Sequence, residues 1–321
     1  MAHRYDPTEY LYVSARIRAL ELHLTTKEQW SRMESMDSAA EIMAVYSDKK
    51  AANDTTIAED TLREAFAAVA ESVPDKSLLL FLQYPYDCNN IKALEKCRRL
   101  GIDPSDLLID LGSISTKTLL TVSENELFLL LPHHMAAALT EAREAFDKTG
   151  DPREIDFLLD RAAFADMKEA AAPFPFAAEL VRIKIELANL MLCDRLLRMP
   201  EQEIARNLLE RAALSCENFD REKLIELFDG GTEAFAKAIA GTPYADVFAP
   251  GSSPAEVEKR ADDLIAGTVR RARTVTFGVE VPIAYLMALE NECQNLRILL
   301  AAKDAGLDDA AVKARMRTHY V

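Results

Sequence analysis

The sequence predicts an all-α protein, and three observations carry that reading. Breakers are scarce: 10 Gly and 13 Pro in 321 residues, about 7%, against roughly 12% in average usage. A sandwich, barrel or propeller needs a turn every ~8–12 residues, which so few breakers do not supply. Helix caps and stops recur along the whole chain, and the apolar residues between them fall near a spacing of 3.6 without a convincing alternating strand. The hydrophobic fraction of 49% is ample for a packed core and excludes a disordered chain. At a typical length of ~11–12 residues each, about fifteen helices are expected.

The elements can be justified in order. Asp6-Pro7 is an N-cap followed by a first-turn proline, opening a helix through Tyr12, Ile17 and Leu20. Ser38-Ala39-Ala40-Glu41 reads as a capping box. Ile57, Leu62, Phe66 and Val69 then line one face of a helix. The segment Leu107 to Leu120 is β-tolerant but isolated. Ser123-Glu124-Asn125-Glu126 and Ser253-Pro254-Ala255-Glu256 read as further capping boxes, and Asp151-Pro152 and Thr242-Pro243 as cap-plus-proline starts. Stops fall at Gly101, Gly150, Pro200, Gly230-Gly231, Gly241 and Gly306.

Three segments share one frame. They are Asp87-Cys88-Asn89-Asn90-Ile91, Glu186-Leu187-Ala188-Asn189-Leu190 and Glu292-Cys293-Gln294-Asn295-Leu296, each acidic-x-x-Asn-aliphatic, with the acids 99 and 106 positions apart. A breaker follows eleven residues after each Asn, at Gly101, Pro200 and Gly306. Basic residues gather before it: Lys96, Arg98 and Arg99, then Arg195 and Arg198, then Lys303. An early acid and late bases both complement the helix dipole. Residues three apart share a helix face, and an Asn in an apolar helix needs backbone partners, expected on a neighbouring helix. Solenoid repeats recur at about 34–47 residues, so units near 100 residues are instead domain-sized. The pattern predicts three similar helical units, 1–115, 116–215 and 216–321, able to close into a pseudo-threefold body.

Composition and motifs exclude several functions. Lys+Arg is 38 and Asp+Glu is 53, a net charge of −15, so phosphate backbones repel the chain and nucleic acid is not an expected partner. Five cysteines, Cys88, Cys97, Cys193, Cys216 and Cys293, form no CxxC, which points to reduced cytoplasmic thiols. The opening MAHRYDPTEY has no apolar h-region, so no signal peptide is expected. The longest apolar runs, Leu78 to Leu82 and Leu127 to Leu131, fall far short of the ~20 residues that span a bilayer. No Walker phosphate loop, GxGxxG, GxSxG or HExxH occurs, so neither a cofactor nor a catalytic residue is expected. His133-His134 are adjacent, about 100° apart on a helix, a poor pair for one metal. Asp262-Asp263 matches in part the magnesium motif of helical prenyl-diphosphate enzymes, but Ala266 stands where a third acid belongs. Asp156 and Asp160, four apart, could share a metal, with Arg153 and Arg161 nearby as a solvated alternative.

The run Gly278 to Leu286, continuing Glu290-Asn291-Glu292-Cys293-Gln294-Asn295-Leu296-Arg297-Ile298, then Lys303, Gly306 and Tyr320-Val321, resembles the C subunit family of V-type (A-type) ATPases and ATP synthases, to which the eukaryotic V-ATPase d subunit is related. So do the opening Tyr12 to Glu21, the helix from Asp87 to Gly101, and Asp151-Pro152 through Asp156, Leu159 and Phe164. The chain departs from the family's Glu-Pro at Glu280-Val281-Pro282. The resemblance implies three helical domains in a funnel that seats the rotor shaft (D/F type subunits) and rests on the membrane proteolipid ring. It implies a non-catalytic central-stalk connector, with no lipid anchor, that passes torque to H+ or Na+ transport. An acidic socket suits the basic cytoplasmic loops of membrane proteins. Two rival readings are a magnesium enzyme, in which Asp156, Asp160, Asp262 and Asp263 converge, and an unrelated helical scaffold.

Overall fold

A computed structural model describes residues 5–50 and 57–321. Among them are fifteen α-helices and no strand, as the breaker count and spacing predict. Asp6 accepts from the Thr8 N–H at 2.9 Å, and a 3-10 turn, Pro7–Tyr10, leads into α1 (Leu11–Glu21). α2 (Lys27–Glu34) starts at a complete capping box of Thr26 and Gln29. α3 (Ala39–Lys50) follows Ser38, whose Oγ accepts from the Glu41 N–H at 3.3 Å. α4 (Ile57–Ser72) buries Leu62, Phe66 and Val69; the side chain of Ile57, like His3, lies outside the described residues.

The chain continues through α5 (Leu80–Leu100), α6 (Thr116–Asn125), α7 (His133–Thr149), α8 (Arg153–Ala171), α9 (Pro175–Leu197), α10 (Gln202–Ala212), α11 (Arg221–Asp229) and α12 (Gly231–Ile239). It ends with α13 (Pro254–Arg270), α14 (Glu280–Asp304) and α15 (Asp309–Arg315). The Ser253 box forms in full: Ser253 Oγ accepts from the Glu256 N–H at 3.3 Å, and Glu256 Oε2 from the Ser253 N–H at 2.8 Å. α8 starts just after Asp151-Pro152: Pro152 is its N-cap, and Asp151, one residue ahead, accepts from the Arg153 N–H at 2.9 Å.

Two predicted starts are overturned. Ser123 lies inside α6, whose N-cap is Ser115, and Glu126 ends that helix in the left-handed region at φ 54°. The signal had the composition of a start but sat at a finish; only a 3-10 turn, Phe128–Leu130, follows before the next α-helix begins after Pro132. Thr242-Pro243 opens no helix. It makes successive turns that bury Tyr244 and Val247, closed by Pro250-Gly251. Among the stops, Gly101 and Gly306 end their helices with the same left-handed turn, at φ 65° and 66°. The residue after each, Ile102 or Leu307, donates back to Cys97 or Ala302, as a Schellman ending requires. Pro200 differs: α9 has already ended at Leu197, and Pro200 sits in the link to α10.

The residues group into two compact units, Met1–Asp75 with Gly241–Val321, and Lys76–Ala240. In the first, α14 is the core helix, buried continuously from Val281 to Leu289 and packed by α1, α3, α4 and α13. A helix apolar all round is expected at such a place. In the second, α8 packs against α5, α7 and α9 around Ile91, Leu94, Met135, Leu139 and Leu159. Among the described residues no helix is long and apolar enough to cross a membrane.

Candidate functional site: three asparagine cradles

The three acid-x-x-Asn segments lie on the three longest of the described helices, α5, α9 and α14. Asp87, Glu186, Glu292, Asn90, Asn189 and Asn295 are all buried, Asp87 and Asn189 completely. A buried amide must spend both its donor and its acceptor on partners, and all three do so in the same manner. Asn90 Oδ1 accepts from the Ile109 N–H at 2.9 Å while its Nδ2 donates to the Ile109 carbonyl at 2.8 Å. Asn189 makes the same pair with Leu214 at 2.8 and 2.9 Å, and donates also to the Phe219 carbonyl at 2.8 Å. Asn295 makes it with Arg317 at 2.8 and 3.1 Å.

Each asparagine thus imitates a neighbouring strand for one residue of non-helical chain, 19, 25 or 22 positions downstream. The partners are backbone groups, as expected, but they belong to links and to the C-terminal segment, not to a helix. The β-tolerant stretch beginning at Leu107 is one of these segments, and its extended backbone at Leu108 feeds Ile109 into the cradle. Leu214 and Arg317 carry no comparable signal in the sequence.

The acids hold the chain that follows. Asp87 accepts from the Ser113 N–H at 3.0 Å, the Ser113 hydroxyl at 2.5 Å and the Ile114 N–H at 3.3 Å. Burial pushes its carboxyl above the usual range, and these bonds offset only part of that rise. Gly112 permits the close approach, since a Cβ there would stand 2.1 Å from Asp87 Oδ1. Glu186 accepts from Asn218 Nδ2 at 2.7 Å and pairs with Arg182 at 3.0 Å. Glu292 behaves differently: its Oε1 accepts from the Thr25 N–H, in the link ahead of α2.

The four aspartates singled out in the sequence are matched by bases within their own unit. Asp156 faces Lys96 at 2.7 Å, and Asp160 faces Lys92. Asp262 pairs with Arg317 at 2.7 Å and Asp263 with Lys259 at 2.6 Å. Asp263 also accepts from the Thr318 N–H at 2.7 Å. These contacts give the four aspartates structural partners, one pair of acids on α8 and the other on α13. His134, Asp166 and Glu169 could approach a cation, their donor atoms lying within 4.8 Å of one another. Each Asp166 oxygen accepts from one of α7's first N–H groups, from His134 at 2.9 Å and Met135 at 3.0 Å.

A family profile described as ATP synthase (C/AC39) subunit matches residues 13–315. The chain belongs to that family. It is 22% identical to the C subunit of the V-type sodium ATPase of Enterococcus hirae, over 97% of this chain and 99% of the relative. It is 24% identical to the C subunit of the A-type ATP synthase of Methanosarcina mazei, over 96% and 93% respectively. As a C/AC39 family member the chain is a V/A-type ATPase subunit, and its partners are other subunits of such a complex.

Proposed function

We propose that the chain is the non-catalytic central-stalk connector of a rotary V-type ATPase/ATP synthase. It seats the D/F-type rotor shaft on one side, rests on the membrane proteolipid ring on the other, and passes torque between them for H+ or Na+ transport. The observation that carries this reading is the match of one subunit family across residues 13–315, with relatives covered nearly end to end. One relative is named for sodium and the other for ATP synthesis, so neither the ion nor the direction follows from kinship. The place is cytoplasmic and peripheral to the membrane.

The same reading divides the chain into three units, 1–115, 116–215 and 216–321, arranged as a funnel; its support is that each third holds one cradle helix, α5, α9 or α14. Each supplies one long helix that clamps a downstream link, and stiff clamped links suit a part that must carry torque. The test is retention of the purified chain on immobilised shaft subunits, at rising ionic strength. With a net charge of −15, retention on a basic partner weakens as salt screens it. Absence of retention overturns the connector role; retention that stays flat or strengthens with salt overturns its electrostatic part.

A further inference from the structure

α7 and α8 bring one histidine and two carboxylates together within the unit Lys76–Ala240. Asp166 and Glu169 lie three apart on α8 and so share a face. His134 stands in the first turn of α7. One ligand atom from each lies within 4.8 Å of the other two. His134 Nε2 and Glu169 Oε2 are 3.4 Å apart. A tetrahedral zinc ion with ligands at about 2.1 Å spaces its donors about 3.4 Å apart. The His134 and Glu169 side chains are 43% and 73% exposed, so they have room to turn toward Asp166.

By itself the 3.4 Å contact is an ion pair, and Asp166 makes it more than that. Asp166 is buried, and its two oxygens accept from the His134 and Met135 N–H groups at 2.9 and 3.0 Å. An ionised carboxylate has about four lone-pair sites, so each oxygen keeps one for a further partner. A carboxylate oriented by such outer hydrogen bonds is the usual condition of a metal ligand. Negative charge gathers here. Burial pushes the Asp166 carboxyl up; the two N–H bonds and His134 oppose the rise, and Glu169 adds to it. The Tyr84 phenol is pushed up too, by burial and then by Asp166, Asp87 and Glu169. Among the described residues no lysine or arginine pairs with Asp166 or Glu169. The start of α7 is the positive end of a helix dipole, worth about half a charge, and two carboxylates outweigh it.

His134 and Glu169 line a cavity of about 790 Å³ that is open to solvent, which gives an ion its entry and leaves water a fourth place. Arg161 and Lys168 line it as well, both exposed on long stems that reach solvent. One imidazole and two carboxylates, with no thiolate, suit zinc. We infer that His134, Asp166 and Glu169 bind one zinc ion, with cavity water as the fourth ligand, tying the start of α7 to α8. His133, its ring edge-on to that of His134 at 5.1 Å, takes no part. The site goes beyond the connector reading and does not depend on it, since all three protein ligands belong to this chain.

The test is isothermal titration of Zn2+ alone into the full, tag-free chain with its cysteines reduced. The expected result is one zinc ion per chain, bound in the micromolar range or tighter, with a raised melting temperature. His134→Ala and Glu169→Gln should each weaken binding by about ten-fold or more and lose the thermal shift, while His133→Ala changes neither. All three side chains are at least partly exposed, and each variant is checked for an unchanged far-UV circular dichroism spectrum. Asp166 is left in place because it holds the first N–H groups of α7. A chain that takes up no zinc below millimolar concentration overturns the site. So does uptake that either ligand variant retains, or that His133→Ala weakens as much as His134→Ala. The connector reading stands or falls separately, on retention by the shaft subunits.

Discussion

Removing the amide of Asn189 tests whether the cradles hold the links or merely accompany them. Asn189→Ala deletes one acceptor and one donor group that together make three bonds of 2.8 to 2.9 Å with Leu214 and Phe219. The site is closed, with Asn189 itself fully buried and Leu214 and Phe219 at 6% and 7% exposure, so water does not readily replace the lost partners. A typical bond contributes about 1 kcal/mol net, and a buried group left unpaired costs about 1–3 kcal/mol. The expected loss is therefore about 3–5 kcal/mol, a large part of the roughly 5–15 kcal/mol that holds a domain. Asn90→Ala breaks only the two bonds to Ile109 and should lose about 2–3 kcal/mol. Urea unfolding followed by far-UV circular dichroism measures both, fitted with allowance for two transitions because there are two compact units. Trp30 is the single tryptophan and belongs to the other unit, so its fluorescence gives a separate reading of that unit. A loss below about 1 kcal/mol for Asn189→Ala would refute the reasoning, because three buried bonds cannot vanish at that cost.

Further outcomes follow from single contacts. Gly112→Ala drives a Cβ to 2.1 Å from Asp87 Oδ1 and should destabilise by about 1–3 kcal/mol, as overpacking does, with thermal melting as the measurement. His319 is held well below its ordinary value, at about 4, by burial first and then by Lys27 and Arg270, while Asp263 opposes the shift. It is therefore neutral when folded and ready to charge when unfolded, so its contribution is present above the unfolded value near 6.5 and is lost as pH falls toward about 4. Its ring stacks on Trp30 at 5.1 Å; acid titration should change Trp30 fluorescence, and His319→Phe should remove that part of the pH dependence. Burial pushes the Cys88 and Cys193 thiols up to about 12, and Cys97 and Cys293 are buried too. A native thiol titration should thus find Cys216 reacting first, the other four appearing only on denaturation.

What the sequence could and could not disclose divides along range of contact. Caps are local: Asp6, Ser38, Asp151 and Ser253 each bond within three residues, so composition alone finds them. Even there the sign of an end can be misread, as at Ser123, where Ser, Glu and Asn close a helix instead of opening one. The helix side of each cradle was legible because acid, Asn and breaker recur at a fixed offset. The receiving side was not, because any residue can offer one N–H and one carbonyl, and Leu214 or Arg317 is recruited by its backbone.

The third acid shows how far range matters. In the first two cradles the acid grips the chain four residues beyond the asparagine's partner, at Ser113 and Asn218, just ahead of α6 and α11. Four residues beyond Arg317 is Val321, yet Glu292 accepts from Thr25, 267 positions away and just ahead of α2. In position relative to the cradle, α2 stands where α6 and α11 stand. The early part of the chain thereby supplies to the last cradle what each earlier cradle draws from its own downstream segment, in the compact unit that joins Met1–Asp75 with Gly241–Val321. Glu292→Gln keeps the acceptor and should be mild. Glu292→Ala leaves the buried Thr25 N–H unpaired and should cost about 1–3 kcal/mol, read by Trp30 fluorescence during unfolding, since Trp30 lies in α2. If the two variants melt alike, the carboxylate oxygen is not what ties α2 to α14, and the closing of the repeat through the early chain loses its physical basis.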